Sequence, residues 1–265
     1  MSALTSRRRF LATGLGALAS VAARPLQTAA ASSDRLAIVN ADDFGMSAEV
    51  DRGILEAHDR GIVTSTSLLV DEPDAEAAVQ EARRRPKLGL GVHVAFDSRG
   101  KWFVDVTDLD IVQREIHRQI DRFIRMTGAT PDHIDSHHHV HRLFNVAYLF
   151  LDAGRQYRVP VRGLTEVVFV GRFYGQPEFG KTDLSKIGVE ALISLFQSLK
   201  PGITEVSCHP GTMESRPDAV YNRERQVELQ TLTDPRIRSL IAEEGIRLIN
   251  YRDYGRLRSA QLRSE

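Results

Sequence analysis

The sequence predicts an α/β protein whose parallel strands curl into a closed or partly closed barrel. Two observations set the class. Short apolar runs alternate with stretches of helical period along nearly the whole chain, and such alternation means parallel strands joined by crossover helices. Polar residues cluster just past the apolar runs, where α/β folds keep their sites. A third observation favours closure: six or more strand–helix units fit in about 230 residues. Periodicity by itself leaves an open doubly wound sheet as the alternative.

The elements follow in order. The run 36–40 (LAIVN) is a strand, and a helix occupies 47–60. The β-branched run 62–70 (IVTSTSLLV) is a second strand. Pro73 suits the first turn of a helix reaching to residue 85, since its missing N–H costs nothing there. LGLGVHV (88–94) is a third strand. Ile111, Val112, Ile116, Ile120, Phe123 and Ile124 recur at helical spacing over 110–127. HIDSHHHVH (133–141) is read as extended and is followed by a helix to residue 157. VPVRG (159–163), ITEVSC (203–208) and IRLIN (246–250) complete the strands, with helical stretches over 185–199 and 219–244. No internal repeat or linker interrupts 32–265, which is read as one domain.

Composition removes several classes of function. The chain has 35 basic and 35 acidic residues and zero formal net charge, unlike a protein that binds nucleic acid by neutralising phosphates. A 42% hydrophobic content is that of a globular fold. The one cysteine, Cys208, excludes an internal disulfide.

The zero is a sum of unlike parts. Residues 1–31 hold Arg7, Arg8, Arg9 and Arg24 and no acid, so 32–265 carry 31 basic against 35 acidic residues, a net charge of −4. The run 10–23 is too short for a bilayer, which takes roughly 20 apolar residues, but has the length of a signal-peptide core, roughly 7–15. Ala29-Ala30-Ala31 offers a cleavage site. Ser6-Arg7-Arg8-Arg9-Phe10-Leu11 resembles the address read by the twin-arginine export machinery. The expectation is an exported, periplasmic protein with no stable membrane anchor.

Four polar clusters sit at strand ends. Asn40-Ala41-Asp42-Asp43-Phe44-Gly45 follows the first strand. Adjacent strand residues point apart unless the chain turns, which Gly45 permits; a solvated turn with Asp43 or Ser47 capping the next helix is the plain alternative. His93 lies inside an apolar run, as a hydrogen-bonded core histidine or a ligand. Gly89 and Gly91 mark a close approach to that strand. His133, Asp135, His137, His139 and His141 share odd parity, so an extended segment turns all five to one face. An apolar core does not hold five such groups unpaired, so they face water, a metal or a cleft. Imidazole is the commonest metal ligand, and Asp135 is placed to orient one; an exposed histidine-rich loop is the alternative. Ser207-Cys208-His209-Pro210-Gly211 ends another strand, with Cys208 read as a small buried hydrophobe. A carboxylate with two imidazoles is a recurrent catalytic metal set.

IVNADDFG (38–45), GIVTSTSLLV (61–70), GVHV (91–94), HIDSHHHVH (133–141), SCHPG (207–211) and GIRLINYRDY (245–254) together resemble the YdjC-like carbohydrate deacetylases. The match runs in order over nearly all of 36–254. The resemblance implies a distorted TIM-like barrel holding one divalent metal ion, Mg2+ or Zn2+, and a carbohydrate substrate. It carries over Asp43, His93 and His137 as metal ligands, Asp42 as general base and His209 as the acid or oxyanion-side group. The family's F-Y-G segment is matched by Phe173-Tyr174-Gly175 within loop 164–184, a candidate lid. Phe173, Tyr174 and Trp102 are the candidate sugar contacts, and Asp135, His139 and His141 brace ligands or line the cleft. Ala95-Phe96-Asp97 and Gly211-Thr212 differ from the chitooligosaccharide enzymes, which leaves the sugar open. A barrel phosphoesterase or amidohydrolase and an exported metal- or sugar-binding protein are the competing readings, and a homodimer is left open.

Overall fold

The computed structural model describes residues 33–98, 100–178, 180–215, 220–261 and 263. The segment 1–31, expected to be an export signal, lies outside them. The strands are β1 Arg35–Phe44, β2 Ser65–Leu68, β3 Gly89–Val94, β4 Asp97–Ser98, β5 Lys101–Trp102, β6 Ile134–Ser136, β7 Val168–Val170, β8 Gly202–Cys208 and β9 Ile246–Leu248. The helices are α1 Ala48–Asp59, α2 Ala75–Arg83, α3 Leu109–Thr127, α4 Ala147–Tyr157, α5 Val189–Gln197, α6 Asn222–Thr233, α7 Pro235–Glu243 and α8 Tyr251–Gln261. Among the described residues no helix is long and apolar enough to cross a membrane.

Seven strands form one parallel sheet in the order β6-β3-β2-β1-β8-β7, with β9 also beside β1. Val161 bridges the free side of β6 at Ile134, and Val168 pairs with β8 at the other edge. Val168 is seven Cα–Cα steps from Val161, a reach of at most about 25 Å, so the sheet curls to bring its edges together. This is a partly closed barrel, as expected. The interior is polar at its upper end: Asn40, Asp42, Ser67, His93 and Asp135 are all buried on its strands. Register aligns them, with Asn40 opposite Ser207 and Ser65, and His93 opposite Asp135.

The helices cover the outside with apolar stripes. In α3, Val112, Ile116, Ile120 and Phe123 are buried. Asp108 caps its start by accepting from the Ile111 N–H at 3.1 Å, and Gly128 ends it in the left-handed region. Ile111 lies off the stripe and is exposed.

Several boundaries differ from the sequence expectations. The helical stretch 219–244 is two helices, because Pro235 has no N–H to continue the first and Asp234 caps the second. Pro73 lies before the Asp74 cap of α2 and not in its first turn. VPVRG contributes a single bridge. Loop 164–184 contains β7, and the hairpin β4–β5 appears where no strand was expected.

Candidate active site

The two adjacent carboxylates of β1 both serve one site because the strand is irregular there. Its pairing with β2 slips between Ala41 and Phe44, and Asp43 adopts φ 72. A bulge re-aims a side chain that regular alternation would send to the other face. Gly45 follows at φ 88, the turn that the sequence allowed.

Asp43 is the focus. Its Oδ2 accepts from Arg225 at 2.7 Å, both groups being buried. Its Oδ1 is buried without a hydrogen-bond partner. The Nε2 atoms of His93 and His137 lie 3.4 and 3.9 Å from that oxygen. Each ring is braced from behind: His93 Nδ1 by Asp135 Oδ1 at 2.7 Å, and His137 Nδ1 by Asp97 Oδ1 at 2.8 Å. With Nδ1 donating to a carboxylate, Nε2 presents its lone pair forward. Three acceptor atoms therefore converge in a buried place, an arrangement that only a cation or a proton relieves. Burial disfavours the His93 imidazolium, yet Asp135 and Asp43 outweigh it and push the pKa up to about 10. Burial opposes ionisation of Asp43 as well, but Arg225 and the histidines hold its carboxyl well below the usual range. An oxygen and two imidazole nitrogens with carboxylate braces fit a divalent cation such as zinc or magnesium.

Two neighbouring groupings also gather three potential ligands, Asp42–His93–Asp135 and Asp97–His137–His138. In the first, the cation is already present: the Arg162 guanidinium bonds Asp42 and lies 2.8 Å from Asp135. In the second, the Asp97 oxygen is the brace of His137. The Asp43 centre is the better cation site for those reasons.

Asp42 is held as a carboxylate. Arg162 grips it bidentately at 2.7 and 2.6 Å, and Asn40 donates to Oδ1 at 2.9 Å. Burial raises its pKa and Arg162 lowers it further, for a net value of about 2. His209 Nε2 stands 3.8 Å from Asp42 Oδ2. Burial keeps His209 neutral, with a pKa lowered to about 4, and its Nδ1 has no partner. Glu228 fixes the backbone beneath it by accepting the His209 N–H at 2.5 Å, and Glu228 also accepts from Tyr221 at 2.6 Å.

The histidine-rich segment departs from the extended reading. Only Ile134–Ser136 is strand; 137–142 is a tight helical turn in which His138 and His139 have positive φ. The five groups of odd parity therefore do not share a face. Asp135 and His137 reach the site as expected. His133 is buried against Tyr251, ring centroids 4.0 Å apart, and occupies the space that a side chain at Gly91 would need. That is the close approach which Gly91 marked. His141 is buried, its Nδ1 2.8 Å from Ser136 Oγ, and fastens the turn. His139 lies between His141 and Phe169, its pKa lowered to about 4 by burial and Arg162.

Among the candidate sugar contacts, Tyr174 is exposed at the rim, stacked on Tyr221 and edge-on to His209. Trp102 is exposed on β5. Phe173 is 1% exposed and packs in the core, so it offers no surface to a sugar. Cys208 is buried and burial pushes its thiol up, in keeping with a small hydrophobe. Sequence reasoning passed over Asp97, Arg162, Arg225 and Glu228. Arg162 follows the apolar VPV run as the recognised residues follow theirs; Arg225 and Glu228 sit on a helix face with no such signal.

Comparison with known proteins gives the family and the fold. The sequence profile of the YdjC-like protein family matches residues 36–243. A carbohydrate deacetylase of Geobacillus stearothermophilus is 37% identical over 254 residues, covering 84% of this chain and 99% of the relative. A chitooligosaccharide deacetylase of Proteus mirabilis is 32% identical over 255 residues, covering 82% and 98%. The crystal structure of a candidate cellobiose-phosphate cleavage protein from Enterococcus faecalis superposes with TM-score 0.73 at 28% identity, covering 84% of this chain and 99% of that one. A family 4 carbohydrate esterase from Streptomyces lividans, at 13% identity and TM-score 0.52 over 82% and 93%, shares the fold.

Proposed function

The chain belongs to the YdjC-like family, and from that premise we propose that it is a metal-dependent hydrolase removing acetyl groups from N-acetylated sugars. The observation that carries the proposal is the convergence of His93 and His137 on the unpartnered oxygen of Asp43, with Asp42 and His209 alongside. A divalent cation held by Asp43, His93 and His137 would supply Lewis acidity, polarising the acetamide carbonyl and lowering the pKa of a water.

The chain's own groups account for the protons. Water attacks the acetamide carbon, forming the C–O bond, and Asp42 accepts one of its protons. His209, neutral at rest and 3.8 Å from Asp42, relays a proton to the amide nitrogen as the C–N bond breaks. Acetate and a free amino sugar leave, and Asp42 and His209 return to their starting states. Arg162 keeps Asp42 oriented throughout by its two-point grip.

The test is acetate release from N-acetylated sugars with and without chelator, repeated with Asp42→Asn. Release that stops on chelation and stops in D42N at near-normal metal content supports the assignment. Release that survives metal removal overturns it. Loss of metal from D42N means that the roles of Asp42 and Asp43 are exchanged.

Export to the periplasm by the twin-arginine machinery belongs to the same proposal and rests on the arginine run and apolar stretch of 1–31. Intact N-termini on protein recovered only from cytosol would contradict it.

A further inference from the structure

His138 takes no part in the Asp43 centre, yet its ring is held in a defined place. Its backbone is left-handed, φ 54 and ψ 17, a conformation that L-residues rarely adopt. Its ring lies 3.8 Å from that of His137 and 5.7 Å from the indole of Trp102, with planes 32° and 28° apart. The side chain is 49% exposed, so solvent and ions reach it from the rim.

His138 Nε2 faces Asp97 Oδ1 at 3.5 Å. That gap is too long for an N–H···O bond, which spans about 2.7–3.2 Å. It is the spacing of two donors on one tetrahedral cation: bonds of about 2.1 Å at the tetrahedral angle set them about 3.4 Å apart. The Asp43 centre has the same spacing, 3.4 Å between Asp43 Oδ1 and His93 Nε2. Asp97 Oδ1 is also the brace of His137, whose Nδ1 lies 2.8 Å away. That shared oxygen ranks the pair behind the Asp43 centre. It does not close the place to a cation, because a carboxylate oxygen carries two lone pairs.

We propose that Asp97 and His138 form a second, weaker site for a divalent transition cation such as zinc, and that its occupation inhibits the enzyme. Water completes the coordination. A cation there draws on the oxygen that aims His137, so the hydrogen bond from His137 Nδ1 loosens and the Asp43 centre loses alignment. The second site should bind zinc roughly 10–100-fold more weakly than the first, having two protein ligands in place of three. The inhibition rests on the deacetylase reading; the binding does not.

Zinc is counted by equilibrium dialysis against wild type and His138→Asn, asparagine being at ease in the left-handed region. Wild type should take a second equivalent that H138N lacks, with thermal midpoints checking the fold. Trp102 is the sole tryptophan and stacks on His138. Nickel titrated into protein already holding its first equivalent of zinc should therefore quench the emission saturably, and excess zinc should reverse it. In H138N the same quenching should need at least about tenfold more nickel. Acetate release should be full at the first equivalent of zinc and fall as the second binds. H138N should match wild type at the first equivalent and resist zinc to concentrations at least about tenfold higher.

A single equivalent in wild type overturns the site, as do a second equivalent and quenching undiminished in H138N. Wild-type quenching that zinc does not reverse overturns it whatever the variant does. A second equivalent lost in H138N, with acetate release indifferent to it, supports the site and overturns the inhibition. The same loss with no acetate release at any zinc concentration supports the site and overturns the deacetylase reading.

Discussion

Arg162→Met removes the guanidinium on which the buried charges of the barrel depend. Arg162 is fully buried and binds three carboxylates: Asp42 at 2.6 and 2.7 Å, Asp135 at 2.8 Å and Glu205 at 2.7 Å. Asp42 alone sets a scale. Its pKa of about 2, against an ordinary value of 3.8, corresponds to roughly 2–3 kcal/mol of linkage at neutral pH. The sign follows from the depression: this stabilisation is present above pH 3.8 and is lost as pH falls through about 2. Methionine preserves much of the volume but strands the carboxylates, for which breaking a buried pair costs about 3–5 kcal/mol. At roughly 2–4 °C per kcal/mol for a domain of this size, the midpoint should fall by roughly 6–20 °C. The assay is urea unfolding at pH 7 of wild type, R162M, D42N and the double variant. D42N removes one stranded charge, so the double variant should be less destabilised than the sum of the singles by at least about 1 kcal/mol. R162M within about 1 kcal/mol of wild type, or strictly additive singles, would refute the hub.

Three further outcomes are expected. Asp97→Asn should weaken divalent-cation affinity by roughly 10–100-fold, measured by calorimetric titration, because His137 loses the carboxylate that aims it; unchanged affinity would remove Asp97 from the site. His209→Gln should lower kcat by roughly 10²–10⁴-fold while cation content stays near normal; turnover close to wild type would assign the proton to another group. Burial pushes the Asp51 carboxyl up to about 8, despite the Gly45 N–H it accepts at 2.6 Å. Its contribution to stability is therefore full below about pH 4 and is lost as pH rises through about 8. Asp51→Asn should flatten the fall in thermal midpoint between pH 5 and 8, and parallel curves for the two proteins would exclude Asp51 as the source.

Much of the site was legible in the order of its motifs. Asp42, Asp43, His93, His137 and His209 stand at the ends of apolar runs, and a parallel sheet gathers strand ends on one rim. What misled was the assumption that backbone period continues through a motif. Parity grouped the histidines of 133–141, but the chain leaves the strand at Ser136 and coils, sending His133 and His141 into packing roles. Likewise regular alternation would part Asp42 from Asp43 unless the chain turned, and a slip in register with a left-handed residue brings both to the site.

Composition and periodicity sufficed for the α/β class, the strand-end location of the chemistry and the set of residue types that carry it, because these depend on local pattern and on a topology with few solutions. The partners that tune those residues came only with the three-dimensional arrangement. Arg162 reaches Asp42 across 120 positions and Arg225 reaches Asp43 across 182. Asp97 meets His137 from a hairpin that the pattern did not show. Charges separated by such lengths of chain have no common period. They acquire their pKa values, and the site its affinity for a cation, only when the curled sheet buries them within a few ångströms of one another.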